Sequence, residues 1–445
     1  MRIATLMSGT LVAQGIMLGF MPLLTRIYTP EEFGVYSLFF SVVSILGLVS
    51  SLKYDQAIML PKSEKNAQAL VFLAIAITLL VVCVVSLFLF VFESIFLSYF
   101  SGLKIVMWMI PVGVLLIGIL QIFKAYSSRY LFYKKIATVR AINAISVVSI
   151  QGLSRSGITV NGFVLEFNRI AFELNGFLFK FEGILLSYSG GVLNFNGLII
   201  GKLIADFISL LLLINSHFNK KTLQLKNFSR RRVINVAKRY EQFPKYQSIT
   251  VFLNAISQNM PIILLGTYYS ADIAGYYALT VRVLKVPTGL IGMSTKEVYY
   301  QKASKMYAQG ENIFDLYLRT TIGLGKIFVL PFLVVLFFGE FLFGFVFGAK
   351  WEVAGGISQV LILWFAIGFV NSSALSTFSI LGVQKIQMKL EVVSLVLRFN
   401  AIYFGYILYD SYMVSISLFM IVSVAVNSFS LVYIYRKLKR HKVLI

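Results

Sequence analysis

Arg282 and Lys285 stand one helical turn apart inside a long apolar run, with Pro287 just beyond them. A cation at the centre of a membrane helix costs ~2.5–3.5 kcal/mol on insertion scales, so it faces a wet cavity or an anion, or pairs within its bundle. Pro287 is predicted to break the helix after the pair, and the three-residue spacing puts both charges on one side. Lys202, Arg319, Lys326 and Arg398 also fall within apolar runs. For Lys202 a pair with Asp206, four residues on, is the simpler reading, and Glu391 lies two turns before Arg398. Asp55, Asp206 and Glu391 are the acids available to bind a coupling proton or cation. Asp206 is the most embedded of the three, and Glu391 sits near the start of its span. There is no HExxH motif and no cluster of metal ligands; His217 and His441 both lie outside the apolar runs, and Cys83 is alone in one. The residues therefore supply no metal site, cofactor site, disulfide framework or catalytic constellation.

The elements that hold these charges follow from composition. Hydrophobic residues make up 58% of the chain and charged residues only 13%, more apolar surface than a soluble domain could cover. A span needs about 20 mainly apolar residues, and such a window fits roughly twelve times. The spans are predicted near 3–25, 34–52, 67–90, 106–123, 141–153, 192–215, 248–268, 275–295, 318–340, 355–382, 390–409 and 412–435. All of them should be helices, because a backbone exposed to lipid must satisfy its own hydrogen bonds. Of the 40 Lys and Arg residues, 28 fall in one alternate set of loops and tails and 6 in the other. That asymmetry predicts both termini in the cytoplasm. The net charge of +22 lies mainly beside the spans, where it sets orientation and meets anionic headgroups; it does not call for nucleic acid. The first span is long and carries half of an internal repeat, so it reads as a span and not as a cleaved leader.

That repeat pairs LLTRIYTPEEFGVYSLF (23–39) with LLGTYYSADIAGYYALT (264–280), and six of the 17 positions are identical. The identities are Leu23/Leu264, Leu24/Leu265, Tyr28/Tyr269, Gly34/Gly275, Tyr36/Tyr277 and Leu38/Leu279, while Thr29/Ser270 and Glu31/Asp272 are conservative. A duplicated membrane unit signals a transporter with its site between the halves. The predicted organisation is an N-terminal lobe at 1–215, a basic cytoplasmic linker at 216–247, a C-terminal lobe at 248–435 and a basic tail at 436–445. Six spans in each half imply a parallel repeat about an axis along the membrane normal. The segment KAYSSRYLFYKKIATVRAIN (124–143) reads as an amphipathic helix along the inner surface. The fifth span is too short alone, and residues 154–184, with charges spaced among Phe and Leu, do not continue it. Either they are an insertion on the outer face, whose removal would join 141–153 to 185–191, or an irregular external loop prolongs a short fifth helix.

Four motifs carry a resemblance across nearly the whole chain: TRIYTPEEFGVYSLF, LKYDQAIMLPKSEKNA, VRVLKVPTGLIGMSTKEVYYQKASK and FVFGAKWEVAGG. The sequence resembles the Wzx-type polysaccharide and O-antigen flippases of the multidrug/oligosaccharidyl-lipid/polysaccharide (MOP) exporter superfamily. That resemblance implies an all-α polytopic membrane protein of MATE-like fold, with about twelve helices in two six-helix lobes around a central cavity. It implies a cargo of oligosaccharide linked to a lipid pyrophosphate, with undecaprenyl as the carrier, moved from the inner to the outer leaflet of a bacterial inner membrane. A polysaccharide polymerase and a chain-length regulator are implied as partners. Related flippases carry cavity cations on the first, second and eighth helices, which match Arg26, Lys53 and Arg282 here. The implied pyrophosphate site is thus Arg282, Lys285, Arg26 and Lys53, with arginine suited to phosphate by its planar fork. Headgroup anchoring competes for Arg26, and an interface pair with Asp55 competes for Lys53.

Two rival functions remain. An ion-coupled multidrug antiporter of the same fold would bind organic cations and want buried carboxylates, whereas the charge within these spans is mainly positive. A membrane glycan polymerase or ligase would need an active site, for which the short external loops leave little room.

Overall fold

In the computed structural model, residues 2–104, 106–154, 197–219, 222 and 229–443 are described. Among them the regular structure is helical. The chain divides into two compact units, Met1–Asn259 and Met260–Ile445.

The first unit opens with α1 (Arg2–Gly19) and α2 (Met21–Ile27), followed by α3 (Pro30–Val49) and the short α4 (Tyr54–Ala57). Next come α5 (Glu64–Val91), α6 (Glu93–Tyr99), α7 (Ile110–Arg129), α8 (Tyr133–Leu153) and α9 (Gly197–Asn219). The linker helix α10 (Arg230–Arg239) completes it, and α11 (Ser248–Tyr268) straddles the division. The second unit holds α12 (Ala271–Ala308), α13 (Phe314–Phe347), α14 (Glu352–Ile380), α15 (Gln384–Tyr409) and α16 (Tyr412–Val443). Ten helices among the described residues are long and apolar enough to cross a membrane. The long helices α8 and α12 occupy the other two predicted positions, and each carries several lysines and arginines.

Each unit has a central helix. In the first, α7 packs against α3, α5 and α9, while α8 packs against α1 and α9; in the second, α14 packs against α12, α13 and α16. Outward-facing rows remain apolar, including Leu80, Leu87 and Phe90 on α5 and Leu330, Phe337, Phe341 and Phe345 on α13. Apolar residues left on the outside of a self-satisfied helix are what a hydrocarbon solvent permits.

The repeat is built the same way in each unit. Thr29 caps α3 through a reciprocal box with Glu32, and Ser270 caps α12 by accepting from the Ile273 backbone at 3.3 Å. The Tyr28 hydroxyl donates to the Gln151 carbonyl at 2.7 Å and is bonded to the Ser154 hydroxyl at 2.6 Å, closing the end of α8 onto α2. The Tyr269 hydroxyl is bonded to Ser415 at 2.8 Å, and Ser415 donates to the Ile402 carbonyl on α15 at 2.9 Å. Thus the shared tyrosine ties the exit of the first helix of each repeat to the junction of the last two.

Two predictions are corrected around α8. Residues 124–143 do not form one surface helix: Lys124–Arg129 end α7, the chain turns at Tyr130–Phe132 with Leu131 at φ 58°, and α8 starts at Tyr133. A partly exposed network holds that turn, in which Glu64 accepts from Tyr126 at 3.0 Å, Tyr130 at 2.5 Å and Arg129 at 3.3 Å. Burial, together with the bond to Glu64, pushes the Tyr130 hydroxyl up to about 12. The fifth helix is accordingly not short. Its 21 residues reach about 32 Å at 1.5 Å per residue, so it needs nothing from residues 185–191. Residues 155–184 of the suspected insertion lie outside the described residues.

Candidate functional site

Arg282 and Lys285 are cations within the apolar part of α12. Arg282 is half-buried and Lys285 exposed, and neither side chain has a hydrogen-bond or ion-pair partner among the described residues. Pro287 does not break the helix as predicted: α12, 38 residues long in all, continues past it to Ala308. Proline removes one backbone hydrogen bond, while ending the helix would leave several groups unsatisfied, so the helix continues. The three-residue spacing keeps the two cations on one face regardless of the proline.

The cations of the first unit are placed differently. Arg26 is exposed in the last turn of α2, where a cation complements the helix dipole. Lys53 is buried, with 3% of its surface exposed, just after Leu52; both have left-handed backbones, with φ of 62° and 46°. Its ammonium lies 3.5 Å from Asp55 and donates to Gln121 and the Leu48 carbonyl, each at 3.4 Å. Asp55 also accepts from Ser51 at 2.7 Å. The Lys53 charge is therefore compensated inside the lobe.

Asp206 is buried on α9 and bonded to Lys202, one turn earlier. Asn143 on α8 donates to Asp206 at 3.0 Å and to Ser209 at 2.9 Å, and Lys202 also lies over the Phe40 ring at 5.5 Å. Glu391 is exposed near the start of α15 and makes no ion pair with Arg398 among the described residues. Arg398 instead sits 8% exposed between Trp364 and Phe419, at 5.9 and 5.7 Å from their ring centres, and donates through Nε to Ser423 at 2.9 Å. Sequence spacing pointed Arg398 toward Glu391; its aromatic neighbours come from α14 and α16, and no local signal announces them. Arg319 and Lys326 are exposed on α13. Among the described residues no group of His, Cys, Asp and Glu is arranged to hold a metal ion.

These helices compare with known structures over nearly their full length. A multidrug resistance MATE family transporter of the MOP superfamily, in an inward-facing conformation, aligns with TM-score 0.70 and 11% identity over 96% of this chain and 95% of that one. The lipid II flippase MurJ, in an inward closed conformation, aligns with TM-score 0.69 and 13% identity over 96% and 86%. A MOP superfamily transporter from Pyrococcus furiosus, described by the reverse polarity of its binding pocket, aligns with TM-score 0.57 and 10% identity over 99% and 96%. The fold is therefore that of the MOP-superfamily transporters, and with ten described helices long and apolar enough to cross a membrane the chain is a multi-pass membrane protein. Two family models, each described as polysaccharide biosynthesis protein, match residues 2–155 and 147–355. Between them the two models run from residue 2 to residue 355 of this chain. No curated protein matches it. The structural relatives named above are transporters and a flippase, not enzymes.

Proposed function

We propose that this protein is a flippase for an oligosaccharide linked to a lipid pyrophosphate, with undecaprenyl as the carrier. It moves the cargo from the inner to the outer leaflet of a bacterial cytoplasmic membrane by alternating access, with about twelve spans and both termini in the cytoplasm. The product feeds O-antigen, capsule or exopolysaccharide synthesis, with a polymerase and a chain-length regulator downstream. The observation that carries this reading is the sign of the uncommitted charge. Arg282 and Lys285 lack partners among the described residues, whereas the buried acids Asp55 and Asp206 are each bonded to a lysine. An antiporter for organic cations needs the reverse, a buried carboxylate left open.

Arg282 and Lys285 are the cations that take the pyrophosphate, with Arg26 and Lys53 as further cations. Asp55, Asp206 and Glu391 are the acids available to ion coupling, and Asp206 is the most embedded of the three. The test is surface-glycan export by Arg282→Ala. Export is expected to vanish while the protein inserts normally, and normal export by a well-expressed variant would remove Arg282 from its role. Arg282→Lys keeps the charge but loses the two-pronged fork, so export should fall about tenfold instead of disappearing.

A further inference from the structure

Helix α10 is built against its own dipole. It begins Arg230, Arg231, Arg232, has no acid in its first turn, and its N-cap Ser229 makes no side-chain bond to the helix. Three cations crowd the positive end of a helix dipole, where an anion is favoured and a cation disfavoured. The helix is nevertheless held in place: Val236 is buried, and the Tyr54 hydroxyl donates to the Ala237 carbonyl at 3.0 Å. Beside this helix lies a cleft of about 390 Å³ lined by Asn66 at the start of α5 and by Ser229, Arg231, Arg232, Asn235 and Arg239. Among the described residues no carboxylate lines it. Arg231, Asn235 and Arg239 follow at intervals of four, so they form one stripe along the helix. Arg231 has no hydrogen-bond or ion-pair partner among the described residues.

The same occupant relieves each of these features: an anion small enough for the cleft and rich in acceptors. We propose that the cleft beside α10 is a phosphate-binding site. Arginine forks and the backbone N–H groups of a helix start both match phosphate oxygens, and the Asn66, Ser229 and Asn235 side chains add neutral donors. Two sources can supply that phosphate: the headgroup of an anionic membrane lipid, or the pyrophosphate of a lipid-linked substrate before transport. The site uses none of the cations assigned on α12 and does not depend on their role.

The test compares two variants of the full chain that each remove two charges from α10. Arg231→Gln/Arg239→Gln empties the cleft, and Arg230→Gln/Lys238→Gln spares it. The purified proteins are offered phosphatidylglycerol, phosphatidylcholine and a short polyprenyl pyrophosphate, and bound molecules are counted by native mass spectrometry. The cleft variant should retain about tenfold less of the phosphate ligand than the control variant, in keeping with the loss of charge-assisted bonds. Loss of phosphatidylglycerol alone assigns the headgroup, loss of polyprenyl pyrophosphate alone assigns the lipid-linked substrate, and loss of both supports a shared phosphate site. Equal loss in the two variants would reduce the effect to general surface charge and overturn the proposal, as would unchanged retention in both. Arg231 and Arg239 are exposed, so the cleft variant should elute as a single species like the control.

Discussion

Lys202 and Asp206 show how a charged residue survives inside a lobe. Their side chains are 20% and 6% exposed, and the carboxylate takes further bonds from Asn143. Removing one partner of such a pair leaves the other charge buried and unpaired, whereas removing both can be close to neutral. Asp206→Asn should therefore lower stability by about 3 kcal/mol, read as a drop in melting temperature in detergent, and Lys202→Met/Asp206→Asn should recover most of it. A single variant that melts like the parent would show that the pair does not support the lobe. Arg398 makes the complementary point. Its charge is accommodated by two aromatic rings and a serine hydroxyl, with no carboxylate bound to it among the described residues.

At the scale of elements, membrane helices approach closely where glycines let them. The approach of α13 to α14 turns on Gly339 and Gly355: a Cβ on Gly355 would stand 2.5 Å from both the Glu340 Cα and the Gly339 carbonyl oxygen. Backbone cannot yield as a side-chain tip can, so Gly355→Ala should force the helices apart and cost roughly 1–3 kcal/mol. Gly15→Ala is the matched control, because a Cβ there meets nothing within 4 Å. Thermal melting of the two variants separates close packing from helix propensity; equal melting would remove Gly355 as a contact point. The shared Tyr28 and Tyr269 belong to this scale too: the Tyr28 hydroxyl fastens the end of α2 to the end of α8, and the Tyr269 hydroxyl fastens the end of α11 to Ser415 near the start of α16.

For the whole molecule, the ends of the undescribed segment matter most. A Cβ on Gly197 would lie 2.2 Å from the Ser154 hydroxyl, and Gln151 donates to the Leu198 carbonyl at 2.7 Å, so α8 and α9 already meet where the segment leaves and returns. Deleting residues 155–184 leaves twelve residues to close a short gap, and closure entropy changes only slowly with loop length. The shortened protein is expected to insert and melt like the parent; failure to insert would show that the segment is part of the fold. The flippase reading has its own test at this scale. Loss of the protein should cause lipid-linked oligosaccharide to accumulate on the cytoplasmic leaflet, and an unchanged leaflet distribution would reject it.

Helix positions were legible because lipid leaves the backbone little choice and makes apolar length a direct signal. The predicted span 248–268 coincides with α11, Ser248–Tyr268. Prediction failed around α8 and at Pro287, where charge and proline are poor guides. Lys134 and Lys135 were absorbed into the first turn of α8, and Pro287 sits within a continuing helix. The repeat, the clustering of cations and the polysaccharide-exporter resemblance were all present in the sequence, because they are properties of residue type and order. Which charges are already spent was not. Lys53 and Lys202 look like Lys285 in a string of letters, and only the tertiary structure shows the first two bonded to Asp55 and Asp206 and the third without a described partner. Compensation of a charge depends on what stands within about 4 Å of it in space, a distance that sequence order does not encode.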